Sequence, residues 1–115
     1  MELPREAVLL RIFVGEDDQV DGRPLYEALV LKAREEGLAG ATVLRGPMGF
    51  GESSHLHTTK ILRLSQDLPL VIEIVDEEAK IGTFLQYVES VMGSGLVTME
   101  KVQVIRYGTS GRTGP

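Results

Sequence analysis

The stretch from Leu44 to Lys60, LRGPMGFGESSHLHTTK, gathers the groups of this chain whose types and spacing could do chemistry. Gly46, Gly49 and Gly51 allow backbone N–H groups to approach an anion closely, as a phosphate-cradling nest requires. The same glycines suit a plain turn or bulge between strands, because there is neither a Walker pattern nor a GxGxxG opening a helix. His55 and His57 stand two apart, so on an extended backbone they face one side and could share a metal, with Glu52 as a third donor. The other role for His57 is a hydrogen-bonding anchor for the loop or a ligand contact. Ser53 and Ser54 beside His55, with Asp67 further on, have the residue types of a hydrolytic triad. They lack a nucleophile elbow and an evident oxyanion donor, so catalysis is not expected. Both serines are open to phosphorylation.

Charge adds a separate signal. Between Arg45 and Arg63 the chain carries Arg45, Lys60 and Arg63 against Glu52 alone, a basic patch suited to a phosphate or an acidic partner. The plainer reading is solvated strand residues whose stems cover apolar surface. Asp17, Asp18 and Asp21 form an acidic turn whose spacing does not match a calcium loop.

The whole chain limits what such a loop can serve. Its 115 residues fit a single domain, and 43% hydrophobic with 25% charged residues is globular composition rather than disorder. With 17 acids against 12 bases and a net charge of -5, a general grip on nucleic acid or on an anionic membrane is not expected. Without cysteine there is no disulfide, thiolate metal site or thiol nucleophile, which accords with a reducing cytoplasm. The opening MELPREAVLL lacks the basic and long apolar regions of a signal peptide, and no run approaches the ~20 apolar residues of a membrane span. A cytoplasmic protein without direct membrane insertion is the expectation.

The elements that must hold the loop are legible from periodicity. Ala7 to Gly15 reads as a strand. Pro24 suits the first position of a helix, which then buries Leu25, Ala28, Leu29 and Ala33 and stops at Gly37. Ala41 to Arg45 is a second strand, TKILRLS a short returning one, and Leu70 to Val75 a third full strand. Asp76 offers a carboxylate cap, with Glu77 and Glu78 behind it, to a helix whose stripe is Ile81, Phe84, Leu85, Val88 and Val91. Leu96 to Tyr107 closes the pattern as a last strand, and residues 109–115 form a polar tail expected to be mobile.

Two βαβ halves in succession predict an α+β, ferredoxin-like βαββαβ sandwich over residues 1–115, with the loop joining strands 2 and 3. Two helices cover one face of such a sheet. Leu9, Leu10, Ile12 and Phe13, like Val71, Ile72, Ile74 and Val75, place apolar side chains on both faces of their strands, so the second face needs another cover, which predicts a homo-oligomer packed sheet to sheet.

GLAGATVLRGPMGFG, HTTKILRLSQDLPLVIEIVDEE and GLVTMEKVQVIRYG together resemble the PII-like family termed domain of unknown function 190, from about Leu9 to Gly108. That family is similar to the PII signalling proteins and their copper-tolerance relatives. The resemblance implies a trimer with inward-facing sheets, and a T-loop leaving through a Gly-Phe-Gly stretch that matches Gly49, Phe50 and Gly51, with Gly46 before it. It implies ATP, ADP or AMP as effector in a cleft between subunits. Arg106 and Gly108 match a phosphate-reaching position of the last strand, while Val104 stands where a second arginine is expected. Lys101 is the approximate counterpart of a phosphate-binding lysine, and His57 stands in the HTT that begins the return strand. No tyrosine lies between Gly46 and Lys60, so a uridylylation switch has no acceptor.

The reading that results is a non-enzymatic regulatory protein, trimeric, that binds a small anionic effector and acts on a partner protein such as a membrane transporter. Two others compete with it: a metal-binding or metal-tolerance module using His55, His57 and Glu52, and a trimeric scaffold indifferent to ligand.

Overall fold

In the computed structural model, which describes residues 3–50, 56–58 and 68–108, β1 (Glu6–Gly15) alternates between two environments. Val8, Leu10, Ile12 and Val14 are buried, while Leu9, Arg11 and Phe13 on the opposite face are half-buried. Beyond Gly15 a two-residue ladder joins β2 (Gln19–Val20) to β3 (Arg23–Pro24). Its turn residues, Asp21 and Gly22, take φ of 50° and 78°, the left-handed pair that Asp-Gly supplies in tight hairpins. The ladder moves the start of the helix. Pro24 is extended, with ψ 133°, and pairs with Gln19, so it serves as N-cap and α1 (Leu25–Glu35) begins one residue later than expected. The Leu25 N–H is met by the Asp18 carbonyl at 2.7 Å. At the far end Gly37, φ 78°, lets Leu38 donate back to the Ala33 carbonyl at 3.0 Å, a Schellman closure.

β4 (Thr42–Arg45) leads into the short strands β5 (Met48–Phe50) and β6 (Leu56–Thr58), which pair with each other. Then come β7 (Pro69–Asp76), α2 (Glu78–Val91) and β8 (Leu96–Gln103). The main sheet has the order β4-β7-β1-β8 with every neighbour antiparallel. This is the ferredoxin-like α+β arrangement expected of two βαβ halves, with the hairpin of β5 and β6 between its second and third long strands.

Both helices lie on one face of the sheet. Leu25, Leu29 and Ala33 of α1 and Ile81, Phe84 and Val88 of α2 form one core with the buried residues of β1 and with Leu70, Ile72 and Ile74 of β7. At ~25 cal/mol per Å² of apolar surface, burying one such side chain is worth about 1.5–3 kcal/mol, so this contact dominates the fold. Among the described residues no helix covers the other face. Opposed residues of an antiparallel pair share a face, and the register sets Leu44, Val71, Phe13 and Leu96 in one apolar row across all four strands. Leu44 and Leu96 are exposed. The next row, Thr42, Glu73, Arg11 and Thr98, is polar.

Two further differences from the sequence expectation lie at Asp76 and at the last strand. Asp76 does not cap the first N–H groups of α2: it ends β7, and its carboxylate takes the N–H of Glu77 and that of Ala39. The last strand ends at Gln103 rather than Tyr107. Its partner β1 begins at Glu6, so after the Val104 N–H meets the Arg5 carbonyl at 2.6 Å the chain has no ladder left to follow. The expected strand TKILRLS and the tail 109–115 lie outside the described residues. No helix among the described residues is long and apolar enough to cross a membrane.

Candidate functional site

The loop opens at the end of β4, where three segments meet. The Gly46 N–H donates to the Pro69 carbonyl at 2.8 Å, and the Glu16 N–H donates to the Leu68 carbonyl at 2.8 Å. The Arg45 guanidinium donates to a carboxylate oxygen of Glu16. Gly15, β1's last residue, gives its N–H to the Asp18 carboxylate at 2.9 Å, which fixes the turn that carries Glu16. Beyond Gly46 the ladder of β5 and β6 pairs Met48 with Thr58, Gly49 with His57 and Phe50 with Leu56. The ladder therefore sets Gly49 opposite His57 with Phe50 next along β5, and Gly46 stands at its root, held to Pro69. Gly51, Glu52, Ser53, Ser54 and His55 lie outside the described residues, and with them most of the alternative metal set and both candidate modification sites.

The remaining predicted residues sit elsewhere. Lys101 opposes Val8 near the end of β8 and lines a cleft of about 410 Å³ with Glu6, Glu78 and Gln103. Arg106 is exposed beyond the end of β8, and Gly108 turns with φ 87°. This segment is held by the Tyr107 hydroxyl, which donates to the Ala39 carbonyl at 2.6 Å. Ala39 also gives its N–H to the Asp76 carboxylate at 2.8 Å, so one peptide-bearing residue is gripped from both sides. Asp76 is 1% exposed. A second, small core of Leu3, Ala7 and Val104 packs beside this clamp.

The two groups occupy opposite ends of one sheet. β4 and β8 are its two edges, Arg45 lies toward the Val14 end of β1, and Gln103 opposes Glu6 at the other end. Eight paired residues separate the ends, roughly 25 Å at ~3.3 Å per residue. No single chain joins Gly46 and Gly49 to Arg106. The turn from Met92 to Gly95, by contrast, lies at the Gly46 end, because Gly95 packs against the Phe13 carbonyl.

Between the ends, on the open face, Arg11 bonds Glu73 at 3.0 Å and Glu100 at 3.1 Å. The Glu73 hydrogen bond is the chief reason that the Arg11 guanidinium holds its proton to still higher pH than usual, with Glu100 adding to it. Sequence reading missed three of these features: the Arg45 to Glu16 pair, the Ala39 clamp and the Asp21-Gly22 hairpin. A signal existed for two of them. Asp-Gly is a strong tight-turn signature. The parity of Leu70, Ile72 and Ile74 carries on to Asp76, which marks it as a buried carboxylate.

With this geometry in view, the fold is that of a PII-like protein. The CPII nitrogen regulatory PII-like protein from Thiomonas intermedia K12, bound to ADP, AMP and bicarbonate, superposes with a TM-score of 0.64 at 18% identity, over 86% of this chain and 88% of that one. GlnK of B. subtilis in complex with ATP gives a TM-score of 0.53 at 16% identity, over 87% of this chain and 84% of that one. The family model described as Uncharacterized ACR, domain of unknown function 190, matches residues 7–104, and the chain belongs to that family. A UPF0166 protein of Aquifex aeolicus is 44% identical over 84% of this chain and 91% of its own length. One of Methanocaldococcus jannaschii is 32% identical over 88% of this chain and 94% of its own.

Proposed function

We propose that this chain is a PII-like regulatory protein that binds a small anionic effector, an adenine nucleotide, in clefts between the subunits of a homotrimer. One observation carries the reading. The glycine-rich loop base and Arg106 stand at opposite ends of each sheet, so they can meet only if the Arg106 end of one subunit reaches the Gly46 end of another. The open face supports such an assembly, since Leu44, Val71, Phe13 and Leu96 form an apolar row with no helix over it. That PII-like proteins of the same fold have been solved with ADP, AMP or ATP supports the choice of effector class.

In this mechanism Gly46, Gly49, Phe50, Gly51 and His57 of one subunit shape the loop side of the cleft. Arg106, with Gly108 and Lys101, supplies the positive side from the neighbour. No bond is made or broken. Ligand favours one arrangement of the 46–57 loop, and that arrangement favours or excludes a partner protein, such as a membrane transporter, in the cytoplasm. Calorimetric titration of the assembled protein with ATP, ADP and AMP tests the effector, and absence of heat with all of them refutes it. Sedimentation of wild type against Leu96→Asp tests the assembly: a trimer is expected to dissociate when a carboxylate enters the apolar row, and a wild-type monomer at micromolar concentration refutes it.

A further inference from the structure

Arg45 is the described cation nearest the loop base along the chain, directly before Gly46, and it is already engaged. Its guanidinium is paired with Glu16, although 57% of its side chain remains exposed. We propose that Arg45 is an anion-binding residue of the effector site and that Glu16 is its built-in competitor, a carboxylate that occupies the guanidinium until a phosphate displaces it. The inference rests on the anionic-effector reading and adds to it two residues that no resemblance supplied.

The geometry favours an exchange over a permanent tie. The Glu16 backbone is fixed by its N–H bond to Leu68, and the turn after it by the bond between Gly15 and Asp18, so the carboxylate is presented at one place. The pair itself is at the surface, where solvent screening leaves an ion pair worth little. A guanidinium prefers a phosphate over a carboxylate of equal access, because the phosphate carries more charge and also accepts two parallel N–H bonds. The anion that wins Arg45 also releases Glu16 beside Leu68 and Pro69. The latter holds the Gly46 N–H, so arrival of ligand is transmitted to the root of the loop. Glu16 thus sets a threshold: weakly charged anions lose to it, and di- or triphosphates do not.

The test is calorimetric titration of wild type, Glu16→Gln, Arg45→Gln and the double variant with ADP and, separately, with inorganic pyrophosphate. The Arg45 Nε–Hε signal is followed by NMR alongside, assigned by its loss in Arg45→Gln. Glu16→Gln is expected to tighten ADP binding about three- to tenfold, Arg45→Gln to weaken it about tenfold, and the double variant to match Arg45→Gln. Asp21→Asn, which removes the same charge from the neighbouring β2–β3 hairpin turn and lies outside the ion pair, is expected to change affinity less than twofold. Equal affinity of Glu16→Gln and wild type overturns the inference, as does a gain that survives in the double variant or is reproduced by Asp21→Asn. If ADP gives no heat but pyrophosphate shifts Arg45 and binds Glu16→Gln more tightly, the nucleotide reading falls and this inference stands. If ADP binds and neither probe moves Arg45, the reverse holds. If neither probe binds, both fall.

Discussion

The two ends of the sheet are closed in opposite ways. At the end where β7 passes into α2, a buried carboxylate and a tyrosine hydroxyl grip Ala39, and Leu3, Ala7 and Val104 cover the joint with apolar surface. At the other end, two backbone hydrogen bonds and a surface ion pair gather the tips of β1, β4 and β7 around the root of the loop. A charge taken out of water must keep its partners, because losing one leaves an uncompensated group in a medium that cannot solvate it. A surface pair can be exchanged for water or for a ligand at small cost. One end is therefore a fixed anchor and the other a place where partners can change. The proposed effector site joins the first of these, from one subunit, to the second, from another.

The comparison breaks most readily at Asp76. Replacing it by alanine leaves the Ala39 and Glu77 N–H groups inside the joint without acceptors, and urea unfolding is expected to show a loss of about 3 kcal/mol. Gly95→Ala comes next and qualifies the contrast, since one part of the exchangeable end is itself rigid. At φ 127° a Cβ there meets the Phe13 carbonyl oxygen at 2.7 Å, so a loss of about 2 kcal/mol is expected in the same assay. Tyr107→Phe removes one hydrogen bond from the clamp and keeps the ring, and should cost about 1 kcal/mol while loosening protection of the Val104 amide in hydrogen exchange. Smallest is Glu16→Gln, with a change of stability below about 0.5 kcal/mol. If Glu16→Gln destabilised the protein as much as Asp76→Ala, the two ends would not differ in kind and the exchange at Arg45 would have no physical basis.

Much of the fold could be read before any coordinates. The alternation of Val8, Leu10, Ile12 and Val14, and the stripe of Ile81, Phe84 and Val88, are local periodicities, and the four long strands and both helices appeared within a few residues of their expected places. That both faces of the sheet are apolar was legible for the same reason, from Leu9, Leu10, Ile12 and Phe13 and from Val71, Ile72, Ile74 and Val75; which of them lie on the open face came from the packing of the helices. The candidate site was only half legible. Gly49 and His57 lie close in sequence and meet in the β5 and β6 ladder, with Gly46 just before it, whereas Arg106 lies at the other end of the sheet.

By itself, then, the sequence determined which segments are strands and helices, which face each presents, and that a glycine-rich loop separates two similar halves. These follow from the 2.0 and 3.6 residue periods and from glycine and proline punctuation, which act over a few residues. Tertiary structure alone decided that Asp76 would hold Ala39, 37 residues away, that Tyr107 would hold the same residue from 68 away, and that Arg45 would be engaged by Glu16 from 29 away. A hydrogen bond between distant residues depends on strand order and register, which place side chains that no local rule relates. The register likewise put the two halves of the proposed site at opposite ends of the sheet, so that within one chain they stay apart.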